Sequence, residues 1–420
     1  MRLLLLSHYY PPEMGGCGSR MHGLAKWLVR FGHEVTVVTG FPNYPAGTVD
    51  KQYRGKFSDT VELDGVHVIY SWIYASPKRG KLPRLLNYFS FVFSSMVTGV
   101  FLRRSFDVVV ATSPPLFLGL SGWMISRLRG RPWVLDIRDI WPDVAVEAGE
   151  FKPGSFMVRW GGRLERFLYR RATHITVVTN AKRDNLRKKS VSEQKISVVE
   201  NGVDLDILRC QSDGGEAEPR FRSQYGLQGK LLVSYAGLFG VFQGLDVVLG
   251  AARRLLEDRD VHFVMVGEGV KRDELLAYAN EHGLNNVTFL PLQPREKLLP
   301  LIHESDAMLI PLVNKQLVDA VPSKLLEAWG CGKGVIYVGS GEAESLVREC
   351  EGGVVIEPGS PAKIADAIRE MRQGVLDYRQ WGERGHQFVK QRFERSILAR
   401  KLESVCRGLD AMENRHGSSK

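Results

Sequence analysis

The segment Asp319-Ala-Val-Pro-Ser323-Lys324-Leu-Leu-Glu327 sets two acids eight positions apart around a Pro-Ser-Lys turn. A turn leading into a helix aims unpaired backbone N–H groups and the positive end of the helix dipole outward, and Lys324 adds a full charge there. Such a turn can seat a phosphate or diphosphate. Glu327, about one turn into the helix, can accept hydrogen bonds from neutral hydroxyls such as those of a ribose, while Asp319 approaches from the preceding loop. The same residues also suit a plain helix start, with Pro322 and Ser323 capping and Lys324 and Glu327 forming an exposed pair three residues apart.

Three glycine-rich turns could bring backbone close to such an anion. Gly15-Gly16-Cys-Gly18 follows the apolar run at residues 3–6 and leads into a helix expected from about Met21. Gly237-Leu-Phe-Gly240-Val-Phe-Gln243-Gly244 follows a second apolar run, and Gly267-Glu268-Gly269 follows a third, with Leu290 ending the next. Glycine permits close approach and left-handed backbone. Taken singly, each is also ordinary turn chemistry.

The elements that must position these turns are legible as short β-rich runs alternating with helical stretches. They fall at 3–6, 35–38, 66–70, 108–111, 133–137, 175–178 and 196–199, then at 231–235, 262–266, 287–290, 307–310, 335–338 and 353–356. Two such series predict an α/β chain of two Rossmann-like domains with doubly wound parallel sheets. The expected domains are 1–204, completed by a C-terminal helix at about 385–420, and 205–384, with a linker near 203–225 where Asp213, Gly214, Gly215 and Pro219 break the periodicity. One helical stretch is expected from Leu376 to about Leu409, with hinges near 203–205 and 380–385 that gate a cleft between the domains.

Composition bounds the class: 420 residues suit two domains, and 44% hydrophobic with 25% charged residues is the balance of a soluble globular protein. Cys17, Cys210, Cys331, Cys350 and Cys406 are odd in number and lack a C-x-x-C pair, which argues against a disulfide framework or a zinc site and for a reducing cytoplasm. The apolar start is too short for an export signal. The net charge is +10, and the excess lies in residues 1–200, with 29 Lys/Arg against 16 Asp/Glu. That suggests an anionic partner or a solvated basic face. With no zinc-finger spacing or RNA-type aromatic motif, nucleic acid is not expected.

The uncharged run at 85–102 is fenced by Lys78, Arg79, Lys81 and Arg84 before it and by Arg103 and Arg104 after it. Asn87, Ser90, Ser94, Ser95 and Thr98 make it too polar to span a bilayer. Two readings stay open: an amphipathic helix lying on a membrane surface through residues 78–104 with its aromatic face inward, or a buried connecting helix.

Together these residues resemble the GT-B-fold glycosyltransferases of family 4, the retaining, nucleotide-sugar-dependent enzymes, and within it the subgroup that builds bacterial surface polysaccharides. The resemblance rests on Pro11-Pro-Glu-Met-Gly-Gly16, Asp136-Ile-Arg138-Asp139-Ile-Trp-Pro-Asp143, Val199-Glu-Asn-Gly-Val-Asp204, the loop Gly237–Gly244 and the Pro-Ser-Lys-x-x-Glu helix. It implies a UDP-sugar donor bound by the domain 205–384, a polyprenyl-diphosphate-linked acceptor bound by the domain 1–204, and a place on the inner face of the cytoplasmic membrane. The transferred sugar is expected to be of the N-acetylated hexosamine type, and the products to serve O-antigen, capsule or exopolysaccharide synthesis. No cofactor or metal is expected.

The resemblance also distributes roles. Lys324 and Asp319 would be catalytic, with Arg138 and Asp139 opposite them, Arg138 standing where the family commonly has a His. Gly15, Gly16, Gly240, Gln243, Gly267, Glu268, Gly269, Leu290, Ser323 and Glu327 would hold the donor. Two departures matter: the family's Arg and Lys in the donor loop are Leu238 and Gln243 here, and the first acid is Asp319 rather than Glu. Lys324 must then carry more of the charge. Arg138 and Asp139 could instead form a structural ion pair beside Trp141. Two other functions stay open, a nucleotide-sugar 2-epimerase of the same fold and a non-catalytic protein binding membranes or polyanions.

Overall fold

Parallel strands covered on both faces bury every side chain, so they read as unbroken apolar runs rather than alternating ones. All thirteen runs named above are strands in the computed structural model, which describes residues 1–13, 16–44, 46–78, 80–147, 149–208, 221–312 and 318–417. The linker residues Asp213, Gly214, Gly215 and Pro219 lie outside that description, as do Gly15, Arg79 and Cys210. The chain divides into two units, Met1–Asn201 with Arg395–Lys420, and Gly202–Glu394.

The first unit is built on eight strands: β1 (Arg2–Leu6), β2 (Glu34–Gly40), β3 (Ser58–Leu63), β4 (Val66–Ser71), β5 (Val108–Ser113), β6 (Trp133–Ile137), β7 (His174–Val177) and β8 (Ile196–Val198). Their order is β3-β4-β2-β1-β5-β6-β7-β8, parallel except for β3 against β4. Strand β3 was not expected. It is a polar edge strand carrying Asp59 and Glu62, closed by the Asp64-Gly65 turn in which both residues have positive φ. That is the backbone a two-residue hairpin demands, and charge on such an edge discourages further pairing.

Strand β1 lies between β2 and β5, with Leu3 beside both Val35 and Val108. The strand order reverses there. Helix α1 (Gly16–Arg30) starts earlier than Met21, so Gly16 and Gly18 belong to the helix rather than to a loop. A Cβ at Gly18 would sit 2.6 Å from the Glu13 carbonyl oxygen, so this glycine packs the helix against its own entry segment.

The second unit carries β9 (Leu231–Ala236), β10 (Val261–Val266), β11 (Val287–Leu290), β12 (Ala307–Pro311), β13 (Gly334–Val338) and β14 (Gly353–Ile356) in the order β11-β10-β9-β12-β13-β14, all parallel. This is the doubly wound order whose ligands bind outside the carboxyl ends of the strands where the order reverses. Here that point lies between β9 and β12.

The C-terminal stretch is two helices, Tyr378–Arg392 and Arg395–Gly417, rather than one. The first stays with the second unit: Gly382 and Gly385 press so closely on Gly332 and Trp329 that a Cβ at either would stand within 2.2 Å of an atom there. Residues 380–385, expected as a hinge, thus lie inside a helix packed on the second unit. The chain changes unit at Glu394–Arg395, beside the bond from Val203 N–H to the Phe393 carbonyl. Helix Arg395–Gly417 then buries Leu398, Leu402 and Cys406 in the core of the first unit. Gly23 of α1 leaves the space that the Arg395 side chain fills.

Candidate functional site

In the second unit the β9–β12 switch point gathers the lysine turn and two of the glycine turns. Helix Ser323–Gly330 starts from Pro322 without a side-chain cap, so its first N–H groups remain available. Ser323 is exposed, while Leu325, Leu326, Ala328 and Trp329 bury the opposite face. That burial aims the helix start.

Lys324 is held from the strand side. Its Nζ donates to Tyr235 Oη at 2.8 Å and lies 4.2 Å from the Tyr235 ring centroid. The Tyr235 hydroxyl donates in turn to the Leu238 carbonyl at 2.7 Å, and burial pushes its pKa well up, so it keeps its proton. One proton is thus committed to the loop and the oxygen can only accept from the lysine. Desolvation lowers the Lys324 pKa to about 8, against a smaller upward pull from Glu327. A half-buried, poorly solvated ammonium has strong reason to take up an anion.

The glycines make this arrangement possible. A Cβ at Gly237 would lie 2.5 Å from Lys324 Nζ, one at Gly267 would lie 1.8 Å from the Gly237 carbonyl oxygen, and one at Gly269 would lie 2.4 Å from the Phe239 carbonyl oxygen. The two loops are laced by Gly237 N–H to Val266 O, Phe239 N–H to Glu268 O and Gly267 N–H to Leu290 O, at 2.9, 2.8 and 3.1 Å. Changing Gly267 to Ala is expected to displace the Gly237 carbonyl, at a cost of about 1–3 kcal/mol of stability. Affinity for inorganic pyrophosphate, measured by calorimetry, should fall by at least tenfold.

The other expected donor residues lie on turns, strand ends and the helix start of the same unit. Gly240 and Gln243 bracket the one-turn helix Val241–Gln243, where a Cβ at Gly240 would meet Gln243 Oε1 at 2.5 Å. The Glu268 carboxylate is half exposed and 3.4 Å from Arg272 Nε. Leu290 lends its carbonyl and is half-buried. Asp319 sits in the turn whose Val318 carbonyl accepts from Glu342 N–H at 2.8 Å. Glu327 is half-buried one turn inside the helix. A cavity of about 430 Å³ bordered by Gly240, Val241, Gly244, Asp246 and Lys271 adjoins the loop. Lys324 does not border it, so the candidate anion seat is the amine and its glycine rim.

In the first unit, Gly16 opens α1, and Arg138 and Asp139 follow β6. They do not pair with each other as a structural ion pair would require. Arg138 donates to Thr112 Oγ1 at 3.2 Å and to the Pro114 carbonyl at 3.0 Å, while Asp139 is half exposed, 4.0 Å from Lys182 Nζ. The buried pair is Arg20–Asp136, 2.9 Å apart and almost fully enclosed. Arg20 also donates to the carbonyls of Val199 and Glu200, and Asp136 accepts from Thr112 and Thr176. Five chain segments meet on that pair. Among the described residues no group of three or more His, Cys, Asp or Glu could hold a metal ion.

Tyr235, Arg20 and the Asp136 network were not foreseen. Tyr235 had a faint signal, a hydroxyl-bearing ring two residues before a strand-ending glycine. Arg20 had none, since its partner is 116 residues away.

Residues 15–202 match the family described as a glycosyl transferase 4-like domain, and residues 217–388 match glycosyl transferases group 1. With two Rossmann-like parallel-sheet domains, the chain is a glycosyltransferase of the GT-B fold, related to both groups. Among its relatives is WcaI of Escherichia coli (strain K12), named for colanic acid biosynthesis, 28% identical over 88% of this chain and 92% of that protein. WbjE of Pseudomonas aeruginosa, by name a probable glycosyltransferase, is 23% identical over 76% and 78%. The crystal structure of Anabaena Alr3699/HepE in complex with UDP-glucose shares the fold, with TM-score 0.71 at 17% identity over 97% of this chain and 100% of that one.

Proposed function

We propose that this protein transfers a sugar from a UDP-sugar to a polyprenyl-diphosphate-linked acceptor during synthesis of a bacterial surface polysaccharide. The observation that carries the proposal is the Lys324 ammonium, poised at an uncapped helix start against a glycine rim. Relatives named for colanic acid biosynthesis or solved with UDP-glucose agree with it.

Breaking the anomeric C–O bond leaves negative charge on the departing UDP and positive charge on the sugar. Lys324 and the first N–H groups of its helix stabilise the former, each charge-assisted contact contributing about 1.5–3 kcal/mol. Several such donors supply the neutralisation a metal ion would otherwise give, so transfer is metal-independent. Glu327 takes the ribose hydroxyls, and Asp319 lies toward the transferred sugar. Retention at the anomeric carbon follows from the family relationship, with the leaving phosphate accepting the acceptor's proton.

The transferred sugar is of the N-acetylated hexosamine type, and the protein works on the inner face of the cytoplasmic membrane through α2 (Lys81–Val100). No helix among the described residues is long and apolar enough to cross a membrane. Yet α2 exposes Leu82, Leu86, Phe89 and Phe93 at helical spacing. The polar residues that spoil the run as a span face inward: Ser95 bonds Ser121 at 2.9 Å, Thr98 bonds Ser71 at 2.9 Å and Ser94 donates to the Trp72 carbonyl. Phe91 is fully buried, a correction to an aromatic face turned wholly to lipid. Replacing Leu86, Phe89 and Phe93 with Ser should cut co-sedimentation with phosphatidylglycerol vesicles about tenfold, and Phe91→Ser should instead lower the melting temperature.

Incubation with a panel of sugar nucleotides and a lipid-linked acceptor tests the proposal. Sugar on the lipid supports it, whereas an isomerised donor would point to a 2-epimerase and contradict it.

A further inference from the structure

Alternate residues of a strand point to opposite faces of its sheet, and in the second unit each face has its own core. Val233 and Tyr235 of β9 lie in one core with Phe263, Met265, Leu309 and Ile336. Helix Ser323–Gly330 packs on the other face, where Leu325, Leu326 and Trp329 meet Met308, Ile310 and Val335. Lys324 belongs to that helix, yet its Nζ donates to Tyr235 Oη at 2.8 Å. The lysine therefore crosses the carboxyl edge of the sheet. It crosses over Gly237, where a Cβ would stand 2.5 Å from Nζ and 3.4 Å from Tyr235 Oη.

Tyr235 is a stiff anchor for that crossing. It is fully buried on β9, which has β10 on one side and β12 on the other. Its ring centroid lies 6.0 Å from that of Phe239, which in turn lies 6.2 Å from that of Phe289. Its hydroxyl holds the Leu238 carbonyl at 2.7 Å, so the start of the loop after β9 is tied to the same point. With its proton given to Leu238 and its oxygen facing the ammonium, the hydroxyl has nothing to donate to an anion. One of the three ammonium protons of Lys324 is engaged here, and the other two have no acceptor among the described residues.

The charged groups around the amine leave the tyrosine oxygen as its direct partner. Its own helix presents Glu327, the turn before that helix presents Asp319, and the loop after β10 presents Glu268, 3.4 Å from Arg272. The loop Gly237–Gly244 carries no charged side chain. A lysine stem is long and flexible, so holding it in one place before the ligand arrives removes reorganisation from the step in which charge develops.

We propose that Tyr235 is the positioning residue of the anion seat. It holds the Lys324 ammonium over Gly237 before a nucleotide arrives, with two N–H donors left for the diphosphate. Tyr235 itself does not touch the ligand. The inference rests on the transferase reading and deepens it by separating the group that meets the charge from the group that aims it.

The test uses the full chain and Tyr235→Phe, which keeps the ring and removes the hydroxyl. Binding of inorganic pyrophosphate is followed by calorimetry from pH 6 to pH 10, and transfer is measured with a panel of sugar nucleotides. The hydroxyl oxygen favours the charged lysine, so without it the loss of pyrophosphate affinity on raising the pH should begin about one pH unit lower. In transfer, kcat should fall about tenfold while the donor KM stays within about twofold, because the aimed ammonium acts on charge that develops at the transition state. Added to Lys324→Met, Tyr235→Phe should change pyrophosphate affinity less than about twofold. A lower melting temperature with an unshifted pH profile would overturn the proposal and leave Tyr235 a packing residue. An equal loss of affinity with and without the lysine would overturn it as well. If the profile shifts but no sugar nucleotide is turned over, the positioning role stands and the transferase reading fails.

Discussion

Replacing Lys324 with Met is expected to lower kcat/KM for sugar transfer about 10²–10³-fold while leaving the melting temperature unchanged or higher. The rate loss is that of removing one preorganised donor from a site where charge develops. It should be near the upper end, because Leu238 and Gln243 offer no second cation in the adjoining loop. The stability change has the opposite sign because Lys324 is an ammonium pushed toward neutrality by desolvation. Met keeps the stem and removes the charge. Loss of activity with equal loss of stability would instead mark Lys324 as a structural residue.

The lowered pKa fixes the pH dependence. Between about pH 8 and the ordinary lysine range the unfolded chain holds a proton that the folded chain has released. Stability therefore rises with pH through that window as far as Lys324 is concerned. UDP binding has the reverse trend, since the diphosphate prefers the ammonium. Affinity should fall from pH 8 to pH 10, with proton uptake on binding near pH 9. In Lys324→Met that slope should vanish.

The second large effect lies in the first unit, where Asp136→Ala leaves the enclosed Arg20 guanidinium without its carboxylate. Breaking a buried ion pair from one side costs about 3–5 kcal/mol, on the order of 10 °C in melting temperature. Arg20→Met with Asp136→Leu should recover much of that, because both desolvated charges go together. Burial raises the Asp136 pKa, but the charge and hydrogen bonds of Arg20, the Thr176 hydroxyl and the Arg138 charge outweigh it and hold it below the ordinary carboxylate range. The pair's contribution is thus present above that range and lost as acid protonates the folded carboxylate. Thermal melts of the two variants from pH 3 to pH 7 check the sign: the wild type should lose its advantage over the double variant as pH falls.

The parallel strands were legible because burial on two faces leaves only apolar residues to choose from, as at residues 3–6 and 108–111. Strand β3 was not, since an edge strand facing water has no such constraint, although Asp64-Gly65 announced its turn. The break at Phe393–Glu394 left no Pro or Gly in the sequence. It exists because the two helices pack on different units. On α2 the composition showed a run too polar to span a bilayer but not its orientation: Ser94, Ser95 and Thr98 make tertiary hydrogen bonds inward, while Leu82, Leu86, Phe89 and Phe93 are exposed. The lysine turn was readable from Pro-Ser-Lys alone. Its partner Tyr235 required the register of β9 against the loop that follows it.

The most direct measurement is a crystal structure of the full chain with UDP. The diphosphate should lie within hydrogen-bonding distance of Lys324 Nζ and of the first N–H groups of helix Ser323–Gly330, with the ribose hydroxyls on Glu327. A nucleotide bound in the second unit with its phosphates away from Lys324, or held only by the first unit, would contradict the account.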